Sequence, residues 1–402
     1  MKIYKAILNI LILLFIVLYP ILPSYGTINS DLILYLLAIV QISGFLLFKD
    51  ERKDFIKNFS LLIKDKIFIS LFLLNIIMYL STIVAEDKRI AIIGSIRFSM
   101  YIFIYYSTAY KLEIKNKLNV IMTAFLGVAT LSGIIGIIQL INLKISNIQF
   151  NEEHRVASFL ENPNNLGAYS ILSLFIIVLL LFNEKKKDKK IILFLSMFLI
   201  AINIILSQSR NAILALFFGA LVLAIIYDKR VLIFSILLPI IMFIIPQSRY
   251  RILSILDPEQ NSSRFKIWKT AELIIKDNPL FGVGYDNFAV KYPNYVYHNP
   301  DLMVHGSYVA QHPHNIFLKF QSELGIIGTI FFILFILLTI FTLYKYIKSN
   351  KDYKTKSVLT GIIISFITFQ FMNLIDCYYS SLKVIITMIV ILSISTFITK
   401  KN

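Results

Sequence analysis

The sequence predicts an all-α polytopic membrane protein with about 12 transmembrane helices and one large extracytoplasmic loop. Three observations predict it. Of the 402 residues, 57% are hydrophobic, against roughly 45–50% in a soluble domain. Apolar runs of about the 20 residues needed to cross a bilayer recur along the chain. Lysine and arginine then fall unevenly on the segments between those runs.

The runs lie near 6–22, 31–48, 67–85, 90–110, 118–143, 166–182, 191–206, 211–227, 231–246, 315–344, 357–376 and 382–399. The first resembles a signal peptide, with Lys2 and Lys5 ahead of an apolar stretch. No small-residue cleavage site follows it and a second run comes soon after, so it reads as an uncleaved first helix. With the N-terminus in the cytoplasm, the inner segments hold 25 Lys and Arg and the outer segments 13. Seven of the outer charges sit in one long loop, 247–313. A long loop crosses largely regardless of charge, so the positive-inside rule puts both termini in the cytoplasm. The whole chain, 1–402, reads as a single integral membrane domain. The net charge of +17 belongs to this asymmetry and not to nucleic-acid binding. The single cysteine, Cys377, permits no intrachain disulfide and makes a Cys-based metal site improbable.

Within the long loop, "SRFKIWKTAELIIKDNP" places apolar residues at 267, 268, 271, 274 and 275. That spacing predicts an amphipathic helix lying on the outer membrane surface or packed over the spans, ended by Asp277-Asn278-Pro279. Trp268 suits an interfacial position.

Polar chemistry gathers on the outer side. All five histidines, His154, His298, His305, His312 and His314, fall there. So do "HRVASFLENPNN", "LSQSRNAIL" and "SSRFKIW", each with an arginine near an apolar boundary. Arg210 lies between two spans with almost no loop, and Arg97 lies inside the fourth span. A charge within a span is costly and faces a cavity or a partner. Several of these arginines lie without nearby carboxylates, and the guanidinium fork suits phosphate oxygens. The bland alternative is that they bind ordinary headgroups or snorkel, above all Arg249 and Arg251.

"QHPHNIFLKFQSELGIIG" sets two histidines before a span. Pro313 favours a helix start at His314, which would then share a face with Leu318, Gln321 and Gly325. At a helix N-terminus the charged form of an imidazole is disfavoured, which leaves a neutral ring able to accept a proton. Two alternatives remain: a capping histidine, and a zinc site drawn from His298, His305, His312 and His314. "NPLFGVGYDNF" lacks the Lys-Ser/Thr of a phosphate loop, so its glycines read as a tight turn. "ENPNN" supplies a cap for the sixth span, with Asn162 and Asn164 as weak sugar contacts. His312 and Glu323 are further weak acceptor contacts.

Four stretches together resemble the bacterial O-antigen ligase and polymerase superfamily over roughly residues 150–330. They are "RVASFLENPN", "SQSRNAIL" with Arg-x3-Leu at Arg210 and Leu214, "SRFKIWKTAELIIKDNPLFGVGYDNF", and "HNIFLKFQSELGIIG" with His-x10-Gly at His314 and Gly325. The resemblance implies metal-independent, inverting transfer of an oligo- or polysaccharide from undecaprenyl diphosphate to an acceptor hydroxyl, without cofactor. It implies His314 as base and Arg210 and Arg264 as diphosphate ligands, with Arg155 and Arg97 behind them. It further implies a bacterial inner membrane protein of lipopolysaccharide biosynthesis, with its active site facing the exterior. His-x10-Gly leans towards a ligase with lipid A-core as acceptor. A repeat-unit polymerase and a protein-glycosylating enzyme share similar text. A transporter for the same lipid-linked glycan is the alternative of another class. It would spread polar residues through the membrane midplane or show repeat symmetry.

Overall fold

The computed structural model describes the chain except residues 27–28, 234–236, 238–239, 241–242, 245, 256, 305 and 401–402. It is helical throughout, and among the described residues the only β pairing is the isolated bridge Val304–Ser307. The expected spans become α1 (Lys2–Ile21), α2 (Asp31–Leu47), α4 (Lys66–Leu80), α5 (Lys88–Tyr106), α6 (Lys117–Ile145), α7 (Pro163–Asn183), α8 (Lys187–Ser207), α9 (Arg210–Ile226), α13 (Ile316–Ser349), α14 (Tyr353–Met372) and α15 (Leu382–Lys400). The expected span at 231–246 falls largely outside the described residues, as does His305. Eight described helices are long and apolar enough to cross a membrane, and α9 and α15 are shorter apolar helices.

The segment 49–66, expected as a basic loop, is partly the helix α3 (Lys49–Leu62), bent 106° from α2. Arg52 makes the corner by donating to the Phe45 and Leu46 carbonyls at 3.1 and 2.7 Å. Those carbonyls are orphans of the α2 C-terminus, and a guanidinium is a good partner for them.

Helix starts follow their caps. Asp65 accepts from the Ile67 and Phe68 amides, Asp87 from Ile90, Ser209 from Ala212 and Asp352 from Thr355. Asn162 caps α7 as expected, with Pro163 at its first position. α7 packs against α8 and α14, and these contacts bury α7 and α14 along most of their length.

Polar contacts segregate to two ends of the bundle. One end joins the segments expected inside: Lys5 to Asp54 and Glu113, Lys111 to Glu51, Lys354 to Asn119, and Tyr227 to Asn183. The other joins those expected outside: Asp87 to Asn287, Arg210 to Ser254, Lys383 to Phe159 and Glu161, and His314 to Asp376.

The second end carries α10 (Pro246–Leu253), α11 (Pro258–Asp277) and α12 (Phe288–His298). α11 covers the amphipathic stretch and ends at Asp277 as expected. It buries Ile267, Ala271 and Ile274 against Phe288, Tyr292 and Val296 of α12. The apolar stripe therefore closes a small core of its own.

α13 is not one regular helix. Gly325 interrupts it with φ 64° and ψ −166°. Such a break strands backbone groups that cannot stay unpaired in an apolar layer. The turn "NPLFGVG" fills it. The Val283 and Gly284 amides donate to the Ser322 and Glu323 carbonyls at 2.9 and 2.8 Å, and the Ile326 amide donates to the Pro279 carbonyl at 2.9 Å. The two backbones touch so closely that a Cβ on Gly325 would overlap the Leu280 carbonyl, and one on Gly282 the Glu323 carbonyl. Both glycines also have positive φ.

Gly325→Ala should therefore be severely destabilising. The backbone there is accessible essentially to glycine alone, and the methyl group meets a backbone that cannot retreat. A cost above about 3 kcal/mol is expected, read as a large fall in the Tm of the detergent-purified protein. A Tm within a degree or two of wild type would mean that α13 runs unbroken.

Candidate functional site

Two adjoining cavities open at the end of the bundle that carries α10 to α12. The larger, about 710 Å³, is lined by α5, the start of α13 and the loops around residues 286, 312 and 378. The smaller, about 260 Å³, is lined by Arg155, Arg210, Arg251 and Arg264 with Glu152, Gln208, Ser209 and Asn211. Asn164 and Asp376 belong to both linings.

His314 stands on that boundary, but not as the first residue of a helix. Its φ is 49°, and α13 begins two residues later with Asn315 as N-cap. The Asn315 side chain takes the Phe317 and Leu318 amides at 2.9 and 3.2 Å. The expected shared face of His314 with Leu318, Gln321 and Gly325 does not form, because His314 precedes the helix and Gly325 breaks it. Asp376 orients the ring instead, accepting from Nδ1 at 3.0 Å. This carboxyl is 62 residues away in sequence. Burial pushes its pKa up, but the hydrogen bond and charge of His314, followed by His312 and the Cys377 amide, hold it below the usual aspartate range. An ionised Asp376 fixes the Nδ1–H tautomer. Nε2 has no hydrogen bond among the described residues, and 37% of the side chain is exposed.

The Asp376 loop is clamped from three sides. The Ile316 amide donates to the Asn373 carbonyl at 2.9 Å, and Asn211 donates to the Met372 carbonyl at 2.8 Å. Asn373 accepts the Tyr378 amide at 2.9 Å. Asn211 follows Arg210 on α9, so the same contacts fix the arginine pocket relative to His314.

His312 is packed against His314 with ring centroids 4.4 Å apart, and its Nδ1 accepts the His314 amide at 3.3 Å. Burial first, then His314, pushes its pKa down to about 4. The ligand atoms of His312, His314 and Asp376 lie within 4.8 Å of one another, close enough to share a metal ion. Two of those atoms are already joined, Nδ1 of His314 to Asp376. His298, expected in the same zinc alternative, points back to the Asn294 carbonyl on α12.

The arginine pocket is built from Arg155, Arg210 and Arg264, all expected, and Arg251, read from the sequence as a headgroup contact. Arg210 donates to the Ser254 carbonyl at 2.8 Å, and Arg155 to Asn164 at 3.2 Å. A carboxylate is present after all: Glu152 pairs with buried Arg251 at 2.7 Å. Burial foremost lowers the pKa of Arg155 and Arg251, with Arg210 adding to it at Arg155 and Arg155 at Arg251, while Glu152 opposes. Four guanidinium groups lining one concave pocket offer donors of the geometry that suits an anion with several oxygens.

Asn162 and Asn164 both line the larger cavity. Glu323 lines neither. It is buried and accepts from Lys319 at 2.8 Å and from the Asp286 amide at 3.0 Å. Lys319 also donates to Asp286 at 2.7 Å and lies 5.4 Å from the centre of the Tyr285 ring. Glu323 thus holds the 278–286 turn onto α13, leaving Lys319 and Asp286 on the cavity wall. Arg97 lies in the larger cavity, apart from the other four arginines. Asp376 was not legible as a partner. Its one sequence signal is an acid set alone between two apolar spans, in "NLIDCYY".

Residues 195–333 match the family model described as O-antigen ligase. About a third of the chain is thus similar to that family. The match takes in Arg210, Arg251, Arg264 and His314, and leaves Arg97, Arg155 and Asp376 outside it. The family implies a glycosyltransferase-type enzyme in a multi-pass bacterial membrane protein. No curated protein matches the chain.

Inorganic diphosphate should raise the Tm of the purified protein, with an effect that shrinks as salt is added. Arg210→Ala should weaken its binding by about tenfold or more, and Arg210→Lys should restore little, because a point charge does not reproduce the fork. An unchanged response in Arg210→Ala would remove this arginine from anion binding.

Proposed function

We propose that this protein is an inverting glycosyltransferase of the bacterial cytoplasmic membrane. It moves an oligo- or polysaccharide from undecaprenyl diphosphate to an acceptor hydroxyl on the outer side. O-antigen ligation to lipid A-core is the reading nearest to the family domain. The observation that carries the proposal is the junction of the two cavities. A histidine oriented by a carboxylate lines one cavity, four arginines line the other, and Asn164 and Asp376 line both.

The chemistry follows from that junction. The diphosphate of the donor occupies the arginine pocket, which leaves its anomeric carbon at the boundary. The acceptor hydroxyl enters from the larger cavity. Nε2 of His314 takes the hydroxyl proton as the oxygen attacks the anomeric carbon from the face opposite the diphosphate. The bond from that carbon to the phosphate oxygen breaks, and the electron pair leaves on the diphosphate. The arginines stabilise this growing charge. Asp376 supports the imidazolium that forms, as the carboxylate does in a Ser-His-Asp triad. A transporter of the same lipid is less well supported, because the polar groups crowd at one end of the bundle.

Orientation in the membrane belongs to the same proposal. The basic segments at the end that holds Lys5 and Lys111 are cytoplasmic, with both termini. In intact cells a membrane-impermeant maleimide should label Asn299→Cys and not Lys187→Cys; the native Cys377 is buried. The reverse pattern would invert the map and move the site to the wrong side.

His314→Ala should lower transfer by about 10²- to 10⁴-fold with donor binding retained. Asp376→Asn keeps an oxygen that can accept from both the Cys377 amide and Nδ1 of His314 but removes the charge that supports the imidazolium, and should lower transfer by at least about 10²-fold. EDTA should leave the wild type active. Inhibition by EDTA with rescue by zinc would make His312, His314 and Asp376 a metal site instead, and normal transfer by His314→Ala would end its role as base.

A further inference from the structure

The larger cavity holds a cation that the arginine pocket does not account for. On α5, Ile90, Gly94, Arg97 and Tyr101 line it. Their spacing of four, three and four residues sets them on one helix face, so Arg97 looks into the cavity and not into lipid. Gly94 allows the approach of the opposite wall, since a Cβ there would lie 2.5 Å from an Asp286 carboxylate oxygen.

Each carboxylate on that wall already has a partner. Asp286 is paired with Lys319 at 2.7 Å, and Asp376 accepts from the His314 ring at 3.0 Å. Arg97 itself makes no hydrogen bond or ion pair among the described residues, and it is exposed to the cavity. A guanidinium within a span without a partner is expensive to keep. A second substrate that brings an anion supplies the partner.

Resting on the transfer reading above, we infer that Arg97 is a specificity residue for the acceptor, which carries an anionic group, a phosphate or a sugar carboxylate. The two arginine sites flank His314, one in each cavity. The donor diphosphate takes the four-arginine pocket, and the acceptor's anion takes Arg97, which holds its free hydroxyl towards Nε2. The acidic group has two sources: a lipid phosphate to which the acceptor glycan is attached, or an acidic sugar within it. In either case a neutral acceptor loses this anchor.

Two measurements test it. The first is binding of undecaprenyl phosphate to the purified protein, with a glucuronate-terminated oligosaccharide and its neutral counterpart as second and third probes. Wild type should bind an anionic probe at two sites. Arg210→Ala should retain the Arg97 site, and Arg97→Gln should retain the other. Preference for undecaprenyl phosphate over the glucuronate probe at the Arg97 site assigns the anion to the lipid end, and the reverse preference assigns it to the sugar. The second is transfer in proteoliposomes. Arg97→Gln should raise the KM for an anionic acceptor about 10- to 100-fold more than for a neutral one, and Arg97→Lys should restore part of the preference. A single anion site in wild type overturns the inference, as do saturation of the Arg97 site by phosphatidylglycerol vesicles and equal losses with charged and neutral acceptors. Absence of transfer in wild type would fail the transfer reading, while the binding stoichiometry still decides the role of Arg97.

Discussion

The break in α13 at Gly325 governs the active end of the molecule. An interrupted helix near an apolar layer exposes amides and carbonyls that water is not there to satisfy. Here the interruption is filled by another piece of backbone, the turn at 279–284, through three main-chain hydrogen bonds. Glycine on both sides of the contact is what permits that approach, since side chains at 282 or 325 would collide with carbonyls. Once the turn is seated, Tyr285 and Asp286 follow, and with them the ion pair to Lys319. The outer loop is thereby joined to the bundle by backbone, and the larger cavity acquires a fixed wall.

A second constraint comes from the loop between α14 and α15. Asn373 and Asp376 lie there, and their partners come from α9 and from the start of α13. The left-handed backbone at His314 turns the ring towards Asp376 just before Asn315 closes the helix end. Capping and ring orientation, which the sequence offers as rival roles for one histidine, are divided between two neighbouring residues.

The electrostatics sort into two kinds. Lys319 with Asp286 and Glu323, and Lys383 with Glu161, are buried lysines answered by carboxylates of the protein itself. The Lys319–Asp286 and Lys383–Glu161 pairs join segments distant in sequence, and their role is architectural. The arginine pocket is different: four guanidinium groups share a small concave space with Glu152 and the Asp376 already committed to His314.

Much of this was legible in the sequence because membrane helices obey simple rules. Apolar run length located eleven of the described helices, eight of them long and apolar enough to cross a membrane, and the alternation of basic segments matches the two clusters of polar contacts. The stripe at 267, 271 and 274 showed α11, and Asn162 showed the start of α7. Arg155, Arg210 and Arg264 were visible because a charge beside an apolar run has few uses. Tertiary structure alone decided the rest. Asp376 is 62 residues from His314, and no local pattern links them. Arg251 and Glu152 find each other only after α10 folds back over the bundle. Glu323 is four residues from the cavity-lining Lys319 and pairs with it, but it is buried against the turn it holds, and Arg97 is set apart from the other arginines by the face of α5 that it occupies. A linear sequence specifies which segments must be helical and buried. Which side chains then share a cavity depends on helix packing and on loop closure, and these are set by contacts between residues far apart in the chain.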